Sequence, residues 1–190
     1  MWKWLAGLLG VCVLERVLLF FFYPPVSLND TGSYRRLAGT VLNGWVNYDG
    51  TRTPGYPVFL ALVGSDRAVV AVQMILGILI TLIIFYMGYQ VSHQVLFAGL
   101  AALGHTLNLN QLFFEANLIT ETLATFWIML ALLGTAYWII HTDKRSIWLG
   151  LVIGLCASLA ALTRPLFIFL PFWLAIFMAF FSKGMRRIVL

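Results

Sequence analysis

Apolar residues come in blocks along this chain, not in the mixed pattern of a soluble core and surface. The runs cover about Trp2–Tyr23, Arg67–Tyr89, Val95–Leu109, Asn117–Ile140, Ile147–Leu162 and Pro165–Phe181. A helix that crosses a bilayer needs about 20 mostly apolar residues, within a range of roughly 17–25. The pattern therefore predicts an all-α, polytopic membrane protein with about six transmembrane helices. Pro24-Pro25 ends the first run, because neither proline can donate a backbone hydrogen bond. That run closes on Phe20-Phe21-Phe22-Tyr23 and lacks the small residues of a signal-peptide cleavage site, so it reads as a retained helix. Short polar stretches, Gln90–Gln94 and His141–Ser146, separate later runs.

One connection breaks the rhythm. The loop Pro24–Asp66 far exceeds the usual connection of about 4–6 residues, and loops of that size are usually functional or disordered. Within it, Tyr34, Leu37, Ala38, Val41, Leu42 and Trp45 recur at helical spacing, opposite Ser33, Arg35, Arg36, Thr40 and Asn43. This predicts an amphipathic interfacial helix over Asp30–Trp45, with N-cap chemistry available at Asn29, Asp30, Thr31 and Ser33. A turn at Asn47-Tyr48-Asp49-Gly50 follows. The stretch Val58–Val63, after Thr53-Pro54-Gly55-Tyr56-Pro57, is too short to span and is expected at the interface.

Composition agrees with lipid as the solvent. The 190 residues are 62% hydrophobic and 10% charged, against about 45–50% and about 25% in soluble domains. The net charge of +5 does not indicate nucleic acid, because no basic stripe interleaved with aromatics accompanies it. The basic residues instead suggest orientation. Lys3, Lys144, Arg145, Lys183, Arg186 and Arg187 flank one side, and Arg35, Arg36, Arg52 and Arg67 lie in the long loop. The positive-inside rule then places both termini in the cytoplasm and the loop outside. Cys12 and Cys156 fall inside apolar runs and read as small buried hydrophobes. His93, His105 and His141 show no metal-ligand spacing, and no phosphate-binding, dinucleotide, nucleophile-elbow or zinc-protease motif occurs.

Several charged residues admit both a structural and a chemical reading. Asp30 reads either as a helix cap or as a carboxylate that could serve as general base to an incoming hydroxyl. Arg35 and Arg36 suit lipid headgroups or a bound phosphate, and Arg52 sits in a proline-bounded turn suited to holding a ligand. Glu115 and Glu121 flank the start of the fourth run, where carboxylates usually face a cavity or a partner. For Glu121 the structural alternative is an ion pair with Arg164, which precedes Pro165 at a tight turn. Glu15 and Arg16 point about 100° apart on one helix, so each is expected to find its partner on another.

The segments Asp30-Thr31-Gly32-Ser33-Tyr34, Arg52-Thr53-Pro54-Gly55-Tyr56-Pro57-Val58-Phe59-Leu60-Ala61, Asn117-Leu118-Ile119-Thr120-Glu121 and Leu162-Thr163-Arg164-Pro165 resemble motifs of the GT-C superfamily of membrane glycosyltransferases. The nearest subgroup is that of protein O-mannosyltransferases and lipid A aminoarabinose transferases. The resemblance spans nearly the whole chain and implies one transmembrane domain over residues 1–190, in a bacterial inner or plasma membrane. It implies inverting transfer of a sugar from a polyprenyl-phosphate carrier to a lipid, glycan or protein acceptor on the outer face. The matching catalytic positions are Asp30, with Glu121 or Glu115 as a second acid. Arg52, Arg164, Arg35 and Arg36, with Tyr34 and Tyr56, would bind the lipid phosphate and substrate. No cofactor or metal is implied. Family enzymes carry more helices, so the resemblance also implies a fragment, a minimal version, or one part of a complex with a further membrane subunit. Two other functions fit the same pattern: a non-catalytic carrier of polyprenyl-phosphate lipid, and a structural subunit of a membrane complex.

Overall fold

The computed structural model describes residues 2–26, 30–141 and 146–188, and everything described is helix, turn or irregular connection. Among the described residues, nine α-helices follow in order: α1 Trp2–Phe22, α2 Thr31–Leu42, α3 Gly55–Val63, α4 Asp66–Ser92, α5 Val95–Thr106, α6 Leu109–Ala116, α7 Glu121–Ile140, α8 Ile147–Thr163 and α9 Leu170–Ile188. A 3-10 turn, Pro165–Phe167, joins α8 to α9. Asn29, Lys144 and Arg145, used above for capping and orientation, lie outside the described residues.

Among the described residues, three helices are long and apolar enough to cross a membrane: Lys3–Phe22, Asp66–Ser92 and Glu121–Ile140. The other apolar segments, Val95–Thr106, Ile147–Thr163 and Pro165–Phe181, are shorter. The third expected run divides, because Asn108 accepts hydrogen bonds from the backbone N–H groups of Asn110 and Gln111 and starts a new helix, α6. That leaves α5 with 12 residues, about 18 Å at 1.5 Å per residue, against a hydrocarbon core of about 30 Å. The fourth run starts its helix four residues late, at Glu121, because residues 117–120 form a buried link between α6 and α7.

Long helices pack through small residues. Leu8 and Cys12 of α1 meet Phe85 of α4 and Ala98 and Ala102 of α5 in one buried cluster. Ala131 of α7 meets Ile153, Cys156 and Ala157 of α8 and Leu174 of α9 in another. The third cluster underlies the long loop: Ala38 of α2 and Tyr56 and Leu60 of α3 pack on Val69, Val70 and Met74 of α4 and on Leu118 and Leu123. The loop is thus folded onto the bundle end. Its helix α2 turns Leu37 and Ala38 inward and leaves Arg35 and Arg36 exposed, as its periodicity predicts.

Candidate functional site

The N-terminal ends of α2, α3 and α7 and the C-terminal end of α8 converge at the loop end of the bundle. Asp30 precedes α2 but makes no side-chain capping bond. Its carboxylate instead accepts from Arg52, with Nη2 2.5 Å from Oδ1. Arg52 is aimed by its own turn. Tyr48 donates its hydroxyl to the Arg52 carbonyl at 2.9 Å, and Asp49 Oδ1 accepts from the Thr51 N–H and hydroxyl. The Thr51 N–H and hydroxyl, then Arg36, hold the Asp49 carboxyl down at about 2. The guanidinium of Arg52 also lies 5.7 Å from the centre of the Tyr34 ring, within cation–π range.

A second ion pair stands beside the first. Arg164, which caps α8, donates Nη1 to Glu121 Oε1 at 2.7 Å. Glu121 opens α7, where the helix N-terminus favours a carboxylate. Tyr34 lies between the pairs. It feels Arg52, Asp30 and Glu121 electrostatically and hydrogen-bonds Thr120, and burial pushes its phenol above the ordinary range. It is therefore neutral over the physiological range and keeps a hydroxyl to donate. Two backbone contacts tie the Arg52 turn to the Arg164 corner. Thr53 donates its hydroxyl to the Thr163 carbonyl at 3.2 Å. At Gly55 a Cβ would fall 2.7 Å from the backbone of Leu162, so only glycine lets α3 come this close to α8.

An apolar groove of about 340 Å3 opens at the same corner, lined by Trp45, Pro54, Gly55, Val58, Phe59, Leu62, Leu123, Trp127, Leu159, Leu162 and Thr163. Arg52 and Arg164 each lie within two residues of its wall. Arginines whose chain neighbours Pro54 and Thr163 line an apolar groove suit an amphiphile with an anionic head.

Asp30, Tyr34, Arg52, Glu121 and Arg164 are thus brought together, and the other candidates are not. Glu115 is fully buried and faces Arg16 and Gln111 inside the bundle. Arg35 pairs with Asp66 at the start of α4, and Arg36 pairs with Asp49 at 2.7 Å, so both brace the loop. Tyr56 is fully buried, stacks edge-on against Tyr34 with ring centres 5.1 Å apart, and donates its hydroxyl inward to Gln73 at 2.9 Å. Among the described residues no group of three or more His, Cys, Asp or Glu side chains could hold a metal ion.

The supporting polar residues Gln73, Asn117, Thr120 and Thr163 are not among the sequence candidates. Gln73 is fully buried on α4 and donates to the carbonyls of Glu115 and Asn117 at 3.1 and 2.7 Å. It shapes the link that delivers Glu121. An amide early in an otherwise apolar run was the available signal, because such a group must find partners inside the protein.

No known family model, curated protein or solved structure matches the chain.

Proposed function

We propose that this protein is an outer-face, inverting glycosyltransferase of GT-C type that takes a sugar from a polyprenyl-phosphate carrier. In this proposal the shorter apolar helices complete about six spans in a bacterial plasma membrane, with the loop end outside. The observation that carries the reading is the pairing of Arg52 with Asp30 and of Arg164 with Glu121 beside one apolar groove. The groove accommodates part of the lipid chain, and the two guanidiniums receive the phosphate. Arginine presents a planar fork of donors that matches phosphate oxygens.

Both arginines are occupied by carboxylates, and both pairs are partly open to solvent. An arriving phosphate competes for the guanidiniums and loosens Asp30 from Arg52. Asp30 then accepts the proton of the acceptor hydroxyl as that oxygen attacks the anomeric carbon from the face opposite the phosphate. The carbon–oxygen bond to phosphate breaks, and its electron pair leaves with the lipid phosphate. Fixed cations favour that developing charge most where water is scarce. The Tyr34 hydroxyl stands between the pairs as a further donor to substrate. Acceptors of the lipid, glycan or protein class all satisfy this scheme.

The test is transfer from labelled polyprenyl-phosphate sugars in membranes holding wild type or Asp30→Asn at matched levels. Loss of a general base lowers the rate by about 10²–10⁴-fold, so transfer in the variant should fall by that order. Arg52→Gln should instead weaken donor binding as well as transfer. Equal transfer by wild type and Asp30→Asn would remove Asp30 from the chemistry. The groove and paired arginines also favour a second reading, a non-catalytic lipid-phosphate carrier. Donor binding without transfer, unchanged in Asp30→Asn, would select it.

A further inference from the structure

A second polar cluster lies inside the bundle, away from the loop-end ion pairs. Arg16 on α1 is 3% exposed and donates Nη2 to Oε1 of the fully buried Glu115 on α6 at 2.8 Å. Glu15 of α1 is also close, with Oε2 3.8 Å from Arg16 Nη1. Thr106 on α5 bridges the two neighbours. Its hydroxyl accepts from Arg16 Nη1 at 2.8 Å and donates to Glu15 Oε2 at 3.2 Å. Glu115 Oε1 takes a further bond from Gln111 Nε2 at 3.1 Å. Glu115 Oε2 and Arg16 Nε are shielded from solvent and have no hydrogen-bond partner among the described residues.

The charge count is uneven: two carboxylates share one guanidinium. An uncompensated carboxylate in a poorly polarisable interior is costly, and such a group neutralises instead. The titratable groups facing the cluster are Glu15 and Arg16 from α1, His105 from α5 and Glu115 itself, and the Cys12 backbone carbonyl accepts from Arg16 Nη1 at 3.2 Å. From α4 come Gly77 and Thr81, which do not titrate. Of these, His105 alone could add a positive charge. Its Nδ1 lies 3.0 Å from Thr81 Oγ1, whose hydroxyl is already donated to the Gly77 carbonyl at 2.9 Å. Thr81 must therefore accept from Nδ1–H. The Nε2 atom is buried without a partner, so an imidazolium would bury an N–H with no acceptor. The neutral ring is favoured, and the balancing charge must come from elsewhere.

We infer that Glu15, Arg16 and Glu115 form a proton-binding site inside the helix bundle, in which the two carboxylates hold one exchangeable proton between them at neutral pH. The unpartnered Glu115 Oε2 is the buried end of the site. Glu15, with 21% of its side chain exposed, is the end through which the proton exchanges with solvent. The site reaches the loop end through Gln73, which bonds both the Glu115 carbonyl and the Tyr56 hydroxyl. It stands independently of the transferase reading.

The test uses the full chain in lipid nanodiscs, followed by infrared difference spectroscopy and thermal unfolding across pH. Wild type should show the C=O stretch of about one protonated carboxyl per chain at pH 7. Glu15→Gln and Glu115→Gln should each lack it, because either leaves one carboxylate for one guanidinium. A proton bound by the fold and not by the unfolded chain stabilises the fold, and that stabilisation is lost as rising pH removes the proton. Wild-type Tm should therefore fall as the band disappears, and the single glutamine variants should stay flat over that interval. The double variant, which leaves Arg16 without a counter-charge, should melt below either single variant. Absence of the band in wild type overturns the inference, and this holds even where the variants fail to fold. Persistence of the band in both single variants overturns it too. So does a pH response removed by His105→Gln, or a Tm that follows sodium or potassium concentration instead of pH.

Discussion

Asn117 is fully buried, and its amide makes three bonds to two stretches of chain. Oδ1 accepts the Val26 N–H at 2.7 Å, and Nδ2 donates to the Phe113 carbonyl at 2.7 Å and to the Tyr23 hydroxyl at 3.4 Å. The exit of α1 is thereby pinned to the link before α7. Asn117→Ala removes these bonds and leaves polar groups unpaired, a change that costs about 1–3 kcal/mol. Chemical or thermal unfolding should register a loss of that size; an effect within about 0.5 kcal/mol, the range of ordinary surface substitutions, would contradict it. At this scale residue types were legible in the sequence and, apart from the Glu121–Arg164 pair offered there as the structural alternative, residue partners were not. Asp30 was open between cap and free carboxylate, and the fold gives it to Arg52, 22 positions away. Glu115 and Glu121 looked alike in the sequence, yet one is sealed against Arg16 and the other sits partly open beside Arg164. Glu15 and Arg16 were expected to seek separate helices. Both do, Arg16 with Glu115 on α6 and Glu15 with Thr106 on α5, and Thr106 also bonds Arg16 and so keeps the two neighbours within 3.8 Å of each other.

Between elements, the contact that matters most to the candidate site is α3 against the end of α8. It rests on Gly55, where a methyl group would meet the backbone of Leu162 and Thr163 at 2.7–2.8 Å. Backbone cannot yield as a flexible side chain can, so Gly55→Ala should push α3 off α8. Overpacking of this kind costs about 1–3 kcal/mol. It would also carry the Arg52 turn away from Arg164. A disulfide between Thr53→Cys and Thr163→Cys, with Cys12 and Cys156 replaced by alanine, should form readily in the parent and several-fold less in Gly55→Ala. Equal yields would show that the corner does not depend on this approach. The helices α2 and α3 were legible because their apolar positions repeat within a few residues. The short helix α6 was not, since Leu107-Asn108-Leu109 reads as continuous with the run before it. Only the three-dimensional structure shows the exposed Asn108 side chain capping a new helix.

For the whole molecule, the long loop folds onto one end and the chain crosses away from it. Helix α4 has 27 residues, about 40 Å at 1.5 Å per residue, more than the roughly 30 Å of a hydrocarbon core. Thr51, in the loop, and His93, just beyond the far end of α4, are both exposed. Single cysteines at these positions should react with an impermeant thiol reagent from opposite sides of sealed membranes, Thr51→Cys from outside. Labelling of both from one side would remove α4 as a span. The shorter apolar helices would need a tilted or locally thinned bilayer to cross as well.

The sequence by itself determined that the chain is helical and suited to lipid, that one long loop carries amphipathic helices, and which side chains could do chemistry. Those properties depend on composition and on spacing over a few residues, so they can be read without knowing the packing. The tertiary structure decided which charges meet: the sequence offered Glu121–Arg164 as one of two readings and did not indicate the other pairs. The pairs Asp30–Arg52, Glu121–Arg164 and Glu115–Arg16 join residues 22, 43 and 99 positions apart. Such pairing depends on how helices approach, and here that rests on a glycine, a buried asparagine and a buried glutamine, none of which carries a charge.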